Sequence, residues 1–579
     1  MLTILKKYNR LTLAFFCFLI LAFCLCLSRL NLPYQMHYII SVSATKVNTL
    51  EVSLEISNSV LSGGKNISLY TGDKTIALKS CVGTNGEGIP VRQNDDSVEL
   101  FLRRGEKVLL SYDISLGSVG KHGLRGNITD DYCVFDGGET FLLPTEFYDQ
   151  TFPANQVVIK ELSITMKEKT GWKKAVPYTD LKNVTWADAY NLSNDSFCMG
   201  RFVLQKIPVN NGTLNVYSLP NDKETGSDSV QSGISALYRY YGTLFSYVKP
   251  DYCVVLLPPA SEADNPVIGG AGTGSVCATF DAASQRDWEL LGHRMFHAYF
   301  DSIFRTREFH FSPHLWFYEG LATYYENRSM QSLPEKIQAS FPVKPTQLFT
   351  SLCNKYLYEK FHDPSLFSLS PMEEEKITGS ENGQAQIEFL HYIQAPLVVR
   401  FLEEAGARQK KQPDFLLTYL LNHKSDPDLC DFSKLLPEIL GETGRQAYAD
   451  YFLSDNVLPL WFLKDSSYSE ALTLADLNSV ERELASWISN QSETFPLEPL
   501  NLGTVRKLQN LPAFQSASYA AAGTEKSVRD YSAVIDSLLK GYALRAGVCR
   551  VPLSDADARA KLLLNQDNLN EWNLWLKQN

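Results

Sequence analysis

Residues 287–328 read DWELLGHRMFHAYFDSIFRTREFHFSPHLWFYEGLATYYENR. His293 and His297 stand four residues apart in an apolar run, and Glu319 stands in a second, aromatic run. On a helix, positions i and i+4 share a face with Cβ atoms roughly 5–6 Å apart, so the two imidazoles can converge on one ion at about 2.0–2.1 Å. A third donor has to come from elsewhere in the chain. Glu319 suits that role, because its segment also reads as a helix: Ser312 is a candidate N-cap, Pro313 takes the favoured first position, and Leu315, Trp316, Leu321 and Tyr325 recur with helical spacing. Two histidines on a helix are by themselves ordinary core or surface residues. Joined to the downstream Trp-x-x-Glu-Gly-x-x-x-Tyr-Tyr pattern, they read as ligands of a single metal ion.

The LWFYEGLATYY run with the upstream His-x-x-x-His resembles the gluzincin zinc metallopeptidases, and within them the glycyl aminopeptidases more than the aminopeptidase N branch. The resemblance implies a mainly helical, thermolysin-like metallopeptidase domain preceded by a β domain. It also implies one zinc ion held by His293, His297 and Glu319. The 21 residues between His297 and Glu319 exceed the usual spacing of the aminopeptidase N branch, a difference that the loop between two helices can absorb.

The departure from the family pattern carries more weight. Arg294 stands where those enzymes have the glutamate that takes a proton from the metal-bound water. A guanidinium stays protonated at any working pH, and general base catalysis contributes about 10²–10⁴-fold. At about 100° per residue, Glu289 falls on the far side of His293. Asp301 shares the azimuth of Arg294 but lies about 10 Å along the helix, the place of a supporting partner or of an arginine's counter-ion. Arg294 itself either points inward, pairing with Glu319 in place of a cation, or outward to an acid such as Asp301.

Two further motifs bear on the site. VIGGAGTGSVCATF at 267–280 lacks the Gly-Lys-Ser/Thr ending of a phosphate loop. The resemblance makes it an edge strand lining the cleft, where relatives carry a glutamate for the substrate's amino group; here no acid lies between Asp264 and Asp281. QIEFLHYIQAPLVVRFLEE at 386–404 resembles the family's Tyr-x-Lys-Gly helix, which implies that Tyr392 is the oxyanion donor. The Lys-Gly that follows it is Gln394-Ala395 here.

The rest of the chain frames that centre. At 579 residues with 44% hydrophobic and 21% charged composition, there is material for several globular cores. A net charge of −11 and a pI near 5.5 argue against nucleic acid as a partner, since phosphate binding needs a basic surface. Lys6, Lys7 and Arg10 precede 17 uncharged residues, 11–27, LTLAFFCFLILAFCLCL. That is about 25 Å of helix, short but sufficient for a bilayer. We read it as an uncleaved signal anchor in preference to a cleaved signal peptide, with the bulk of the chain extracytoplasmic.

Alternating runs such as HYIISVSATKVNTLEVSLEIS, KVLLSYDIS and QVVIKELSITM predict strands, and Asn211-Gly212 predicts a hairpin. Of eleven cysteines, those outside the anchor are scattered, and buried free thiols suit them as well as disulfides do. The expected architecture is α+β: a tip and anchor at 1–34, an antiparallel β domain at 35–232, a gluzincin-like domain at 233–455, and a helical region at 456–579. Two functional readings follow. In the first, a membrane-anchored gluzincin-fold protein binds zinc, hydrolyses poorly and holds a peptide or protein partner in its cleft. In the second, an active zinc aminopeptidase draws its base from outside the motif.

Overall fold

The computed structural model describes residues 32–453, apart from 73, 118, 121–122, 210–211, 223, 248, 250, 262, 350–351, 353–355, 357–369, 379–382 and 427. The expected anchor at 11–27 and the helical region at 456–579 lie outside the described residues. Among the described residues, no helix is long and apolar enough to cross a membrane. The chain is α+β and divides into two units, Met1–Asp287 with His297–Arg307, and Trp288–Phe296 with Glu308–Asn579. The division passes through one continuous helix, Gln285–Ile303.

In the first unit, a six-stranded sheet runs in the order Asp180–Val184, Ile159–Lys167, Tyr34–Val42, Thr49–Ser57, Lys107–Ser115, Ile76–Gly83. Period-two alternation explains it. Tyr34, Met36, Tyr38 and Ile40 are buried on one strand, and Leu50, Val52, Leu54 and Ile56 on the next. Each buried aliphatic side chain of this kind is worth about 1.5–3 kcal/mol. All pairings in this sheet are antiparallel except Tyr34–Val42 with Ile159–Lys167, which is parallel. A purely antiparallel domain was expected. The exception joins strands more than a hundred residues apart, which local alternation does not encode.

A second, five-stranded sheet has the order Val203–Val209, Gly212–Ser218, Tyr252–Leu257, Ser275–Thr279, Ile268–Gly269. Its first pair is the expected hairpin, with Val209 opposite Gly212, so the two connecting residues are 210 and 211, outside the described residues. The helix Asp228–Leu244 then crosses over to a parallel strand. It starts at Asp228 because Ser227 caps it, accepting from the Val230 amide. The six described cysteines Cys81, Cys133, Cys198, Cys253, Cys277 and Cys430 are free and buried.

The second unit is helical. Leu315–Ser329 is buried on nearly every side, from Trp316 and Phe317 through Tyr325 and Asn327. Its start differs from expectation: Ser312–Pro313 forms a cis peptide, and His314 is the N-cap. The Phe311 carbonyl accepts from the His314 and Leu315 amides, so the chain completes a turn before the helix begins. A Cβ on Gly320 would stand 2.5 Å from the Cβ of Ala395. That glycine lets Leu315–Ser329 lie directly against the Ala395–Lys410 helix.

Candidate metal centre

The Gln285–Ile303 helix starts where its sequence says it should. Ser284 caps it, accepting from the Asp287 amide at 3.3 Å, and Asp287 in the first turn accepts from the Ser284 hydroxyl at 3.0 Å. Trp288, Leu291, Met295 and Tyr299 are buried with helical spacing, which leaves His293 and His297 on another face. Toward its end, in the first unit, the buried Lys249 donates to the Ala298 carbonyl at 3.2 Å and to the Ser302 hydroxyl at 2.7 Å. Burial pushes that lysine down to about 8 against the opposing pull of Asp195 and Asp301. Asp301 is thus a buried acid whose charge acts on Lys249.

His293, His297 and Glu319 come together, with one donor atom from each lying within 4.8 Å of the other two. No other such group of three occurs among the described residues, so Glu289 stands outside it. His297 is buried and His293 half-buried. Nε2 of His293 lies 3.2 Å from Glu319, and Nδ1 lies 2.9 Å from Glu326. Burial disfavours the charged ring, but the two carboxylates outweigh it and push the metal-free imidazole up to about 9.

Sequence reasoning missed Glu326. The signal was available: it lies seven residues after Glu319, two turns along the same helical face.

This donor set fits zinc. Two imidazoles and one carboxylate are the ligands of catalytic zinc sites that keep a fourth position open. A carboxylate on the distal ring nitrogen is the usual support for such a histidine. Here Glu326 supplies that support to His293.

Tyr392 lies at the same centre, its ring centroid 6.0 Å from that of His293. It projects from a π-helical turn, Leu390–Gln394, in which the Ala395 amide donates to the Leu390 carbonyl. Pro396 accounts for the widened turn, because it has no N–H and its ring would clash with the carbonyl four residues back. His391 in that turn pairs with the buried Glu374. The Glu319 charge, and then burial, hold the Tyr392 hydroxyl protonated, while the Arg294 charge pulls the other way. The hydroxyl is therefore a donor at every working pH. Arg294 is half-buried on the same turn as His293.

The glycine-rich run 267–280 belongs to the first unit, and Ile268–Gly269 is the edge strand of its five-stranded sheet. Its glycines have a packing cause. The buried Asp195 carboxylate accepts from the Gly274 and Ser275 amides at 2.9 and 2.8 Å. A Cβ on Gly272 would stand 2.5 Å from that carboxylate.

No family sequence model and no curated protein sequence matches the chain. Solved structures do. An aminopeptidase N family protein from Idiomarina loihiensis superposes with a TM-score of 0.53 at 13% identity, over 74% of this chain and 78% of that one. A point mutant of an M1 zinc metallopeptidase from Deinococcus radiodurans superposes more loosely, with a TM-score of 0.44 at 16% identity, over 74% of this chain and 95% of that one. At such low identity the likeness speaks for the backbone alone: the chain shares its fold with the aminopeptidase N family protein from Idiomarina loihiensis.

Proposed function

We propose that this protein is a membrane-anchored, extracytoplasmic relative of the glycyl aminopeptidases that binds one zinc ion, hydrolyses peptides poorly, and holds a peptide or protein partner in its cleft. In this reading residues 35–232 form the β domain, 233–455 the peptidase-like domain and 456–579 a helical appendage. One observation carries it: an intact donor set of His293, His297 and Glu319 with an arginine in the position of the base.

His293, His297 and Glu319 would hold the ion, which when bound supplies a Lewis acid for a carbonyl oxygen and a more acidic water. Glu326 holds the His293 ring by Nδ1, which keeps Nε2 directed to the donor cluster. Arg294 cannot take up a proton from water or return one to a leaving amine. What it offers is a fixed positive charge. Together with the Tyr392 hydroxyl it suits the binding of carbonyl or carboxylate oxygens, so the surviving chemistry favours retention of a peptide over turnover.

The metal arm is tested by elemental analysis of the full chain purified without added metal. Near-stoichiometric zinc that disappears in His293→Ala supports the assignment. Absence of zinc after incubation with excess metal refutes it and leaves Arg294 as the resident cation.

A further inference from the structure

The β unit carries a cluster of exposed apolar side chains at one end. Val60 is 68%, Leu61 48% and Phe101 50% exposed. Val60 and Leu61 sit in the turn that follows Thr49–Ser57, and Phe101 sits near the end of Ser97–Leu102. The two segments meet. A Cβ on Gly64 would touch the Phe101 ring at 2.7 Å, and one on Gly105 would touch Val60 at 3.0 Å. The Gly105 amide donates to the Ser59 carbonyl at 3.2 Å. Arg103 and Arg104 are exposed on this tip, and Lys65 is half-buried beside it. The Glu106 carboxylate there accepts from the Arg103 amide at 2.6 Å. The tip is thus apolar with a basic fringe, in a chain whose net charge is −11.

The chain enters the unit at this same tip. The Leu32 amide donates to the Ser62 hydroxyl at 3.4 Å, and Lys65 donates to the Leu32 carbonyl. Leu32 lies five positions beyond Leu27, the last residue of the uncharged run, and that stretch, fully extended, reaches less than about 18 Å. If residues 11–27 span a bilayer, that short tether keeps the Val60, Leu61 and Phe101 tip within reach of its surface.

We propose that this tip rests on the lipid bilayer that holds residues 11–27, with Leu61 and Phe101 in the acyl-chain boundary and Arg103 and Arg104 among lipid phosphates. The inference depends on the anchor assignment. Apolar side chains ringed by arginines are the composition that binds an interface of this kind. The consequence is an orientation: the Tyr34–Val42 strand rises from the membrane, and its far turn stands about 27 Å higher. Val47 in that turn is 91% exposed and serves as an internal control.

The test uses the full chain reconstituted in vesicles of phosphatidylethanolamine and phosphatidylglycerol, with the photoreactive p-benzoylphenylalanine placed singly at position 47, 61 or 101. Lipid adducts at 61 and 101, with at least several-fold fewer at 47, support the proposal. Equal, low yields at all three positions in a chain that resists carbonate extraction overturn it and leave the anchor standing. Release of the chain by carbonate overturns both. Crosslinks from 61 or 101 to protein in place of lipid also overturn it, and assign the tip to a protein partner. The double variant Arg103→Glu, Arg104→Glu is expected to lose several-fold of the adduct yield at 61, and an unchanged yield removes the two arginines from the contact.

Discussion

Nδ1 of His293 lies 2.9 Å from the carboxylate of Glu326, two helical turns beyond Glu319. That pairing fixes which ring nitrogen faces the other donors. Supporting carboxylates of this kind are worth 10–100-fold in metal affinity. Glu326→Gln is therefore expected to weaken zinc binding by about that factor, read by competition with a chromophoric chelator. Unchanged affinity would show that the ring is oriented by its packing alone.

The contact of Gly320 with Ala395 gives a prediction about stability. A methyl group on Gly320 would have to fit 2.5 Å from the Ala395 side chain and 2.9 Å from its carbonyl carbon. Overpacking of this kind costs about 1–3 kcal/mol. Thermal unfolding of Gly320→Ala should shift downward accordingly, and Ala395→Gly in the same chain should recover part of the loss. A single variant as stable as the parent would mean that the two helices separate freely.

Much of this arrangement was legible in the sequence, and the illegible parts share a cause. Strand alternation, the His293 and His297 spacing and the Glu319 motif are local patterns with fixed periods, and they located the strands and the three residues that cluster. Three features depend on tertiary partners. The parallel pairing of Tyr34–Val42 with Ile159–Lys167 has no local signature. The run 267–280 reads as an edge strand, but the close approach of Gly272 to Asp195, distant in sequence, has no local signature. The π turn displaying Tyr392 could have been suspected from Pro396, since a proline inside a helical pattern disturbs the turn before it.

Asp195 supplies a pH prediction. Burial raises it from 3.8 to about 6, although the Gly274 and Ser275 amides and the Tyr178 hydroxyl pull it down. Between those two values the folded protein holds a proton that the unfolded chain has released. The carboxyl's contribution is thus complete below about 3.8 and is lost as pH rises through about 6. Over that window the stability of the parent should fall, relative to Asp195→Asn, by on the order of 3 kcal/mol. Asparagine keeps an acceptor for the two amides but does not titrate. Parallel pH profiles for the two proteins would contradict a raised carboxyl at this position.

The central claim is that an arginine in the position of the base leaves a metal centre that binds but does not turn over. Its direct measurement is chelator-sensitive release of amino acids from a peptide library by the zinc-loaded full chain, followed by mass spectrometry beside Arg294→Glu. The account predicts no release by the parent, and a gain toward the 10²–10⁴-fold contribution of a general base in the variant if the rest of the site is sound. Robust, chelator-sensitive hydrolysis by the parent would contradict it and establish an active aminopeptidase whose base lies outside the His-x-x-x-His motif.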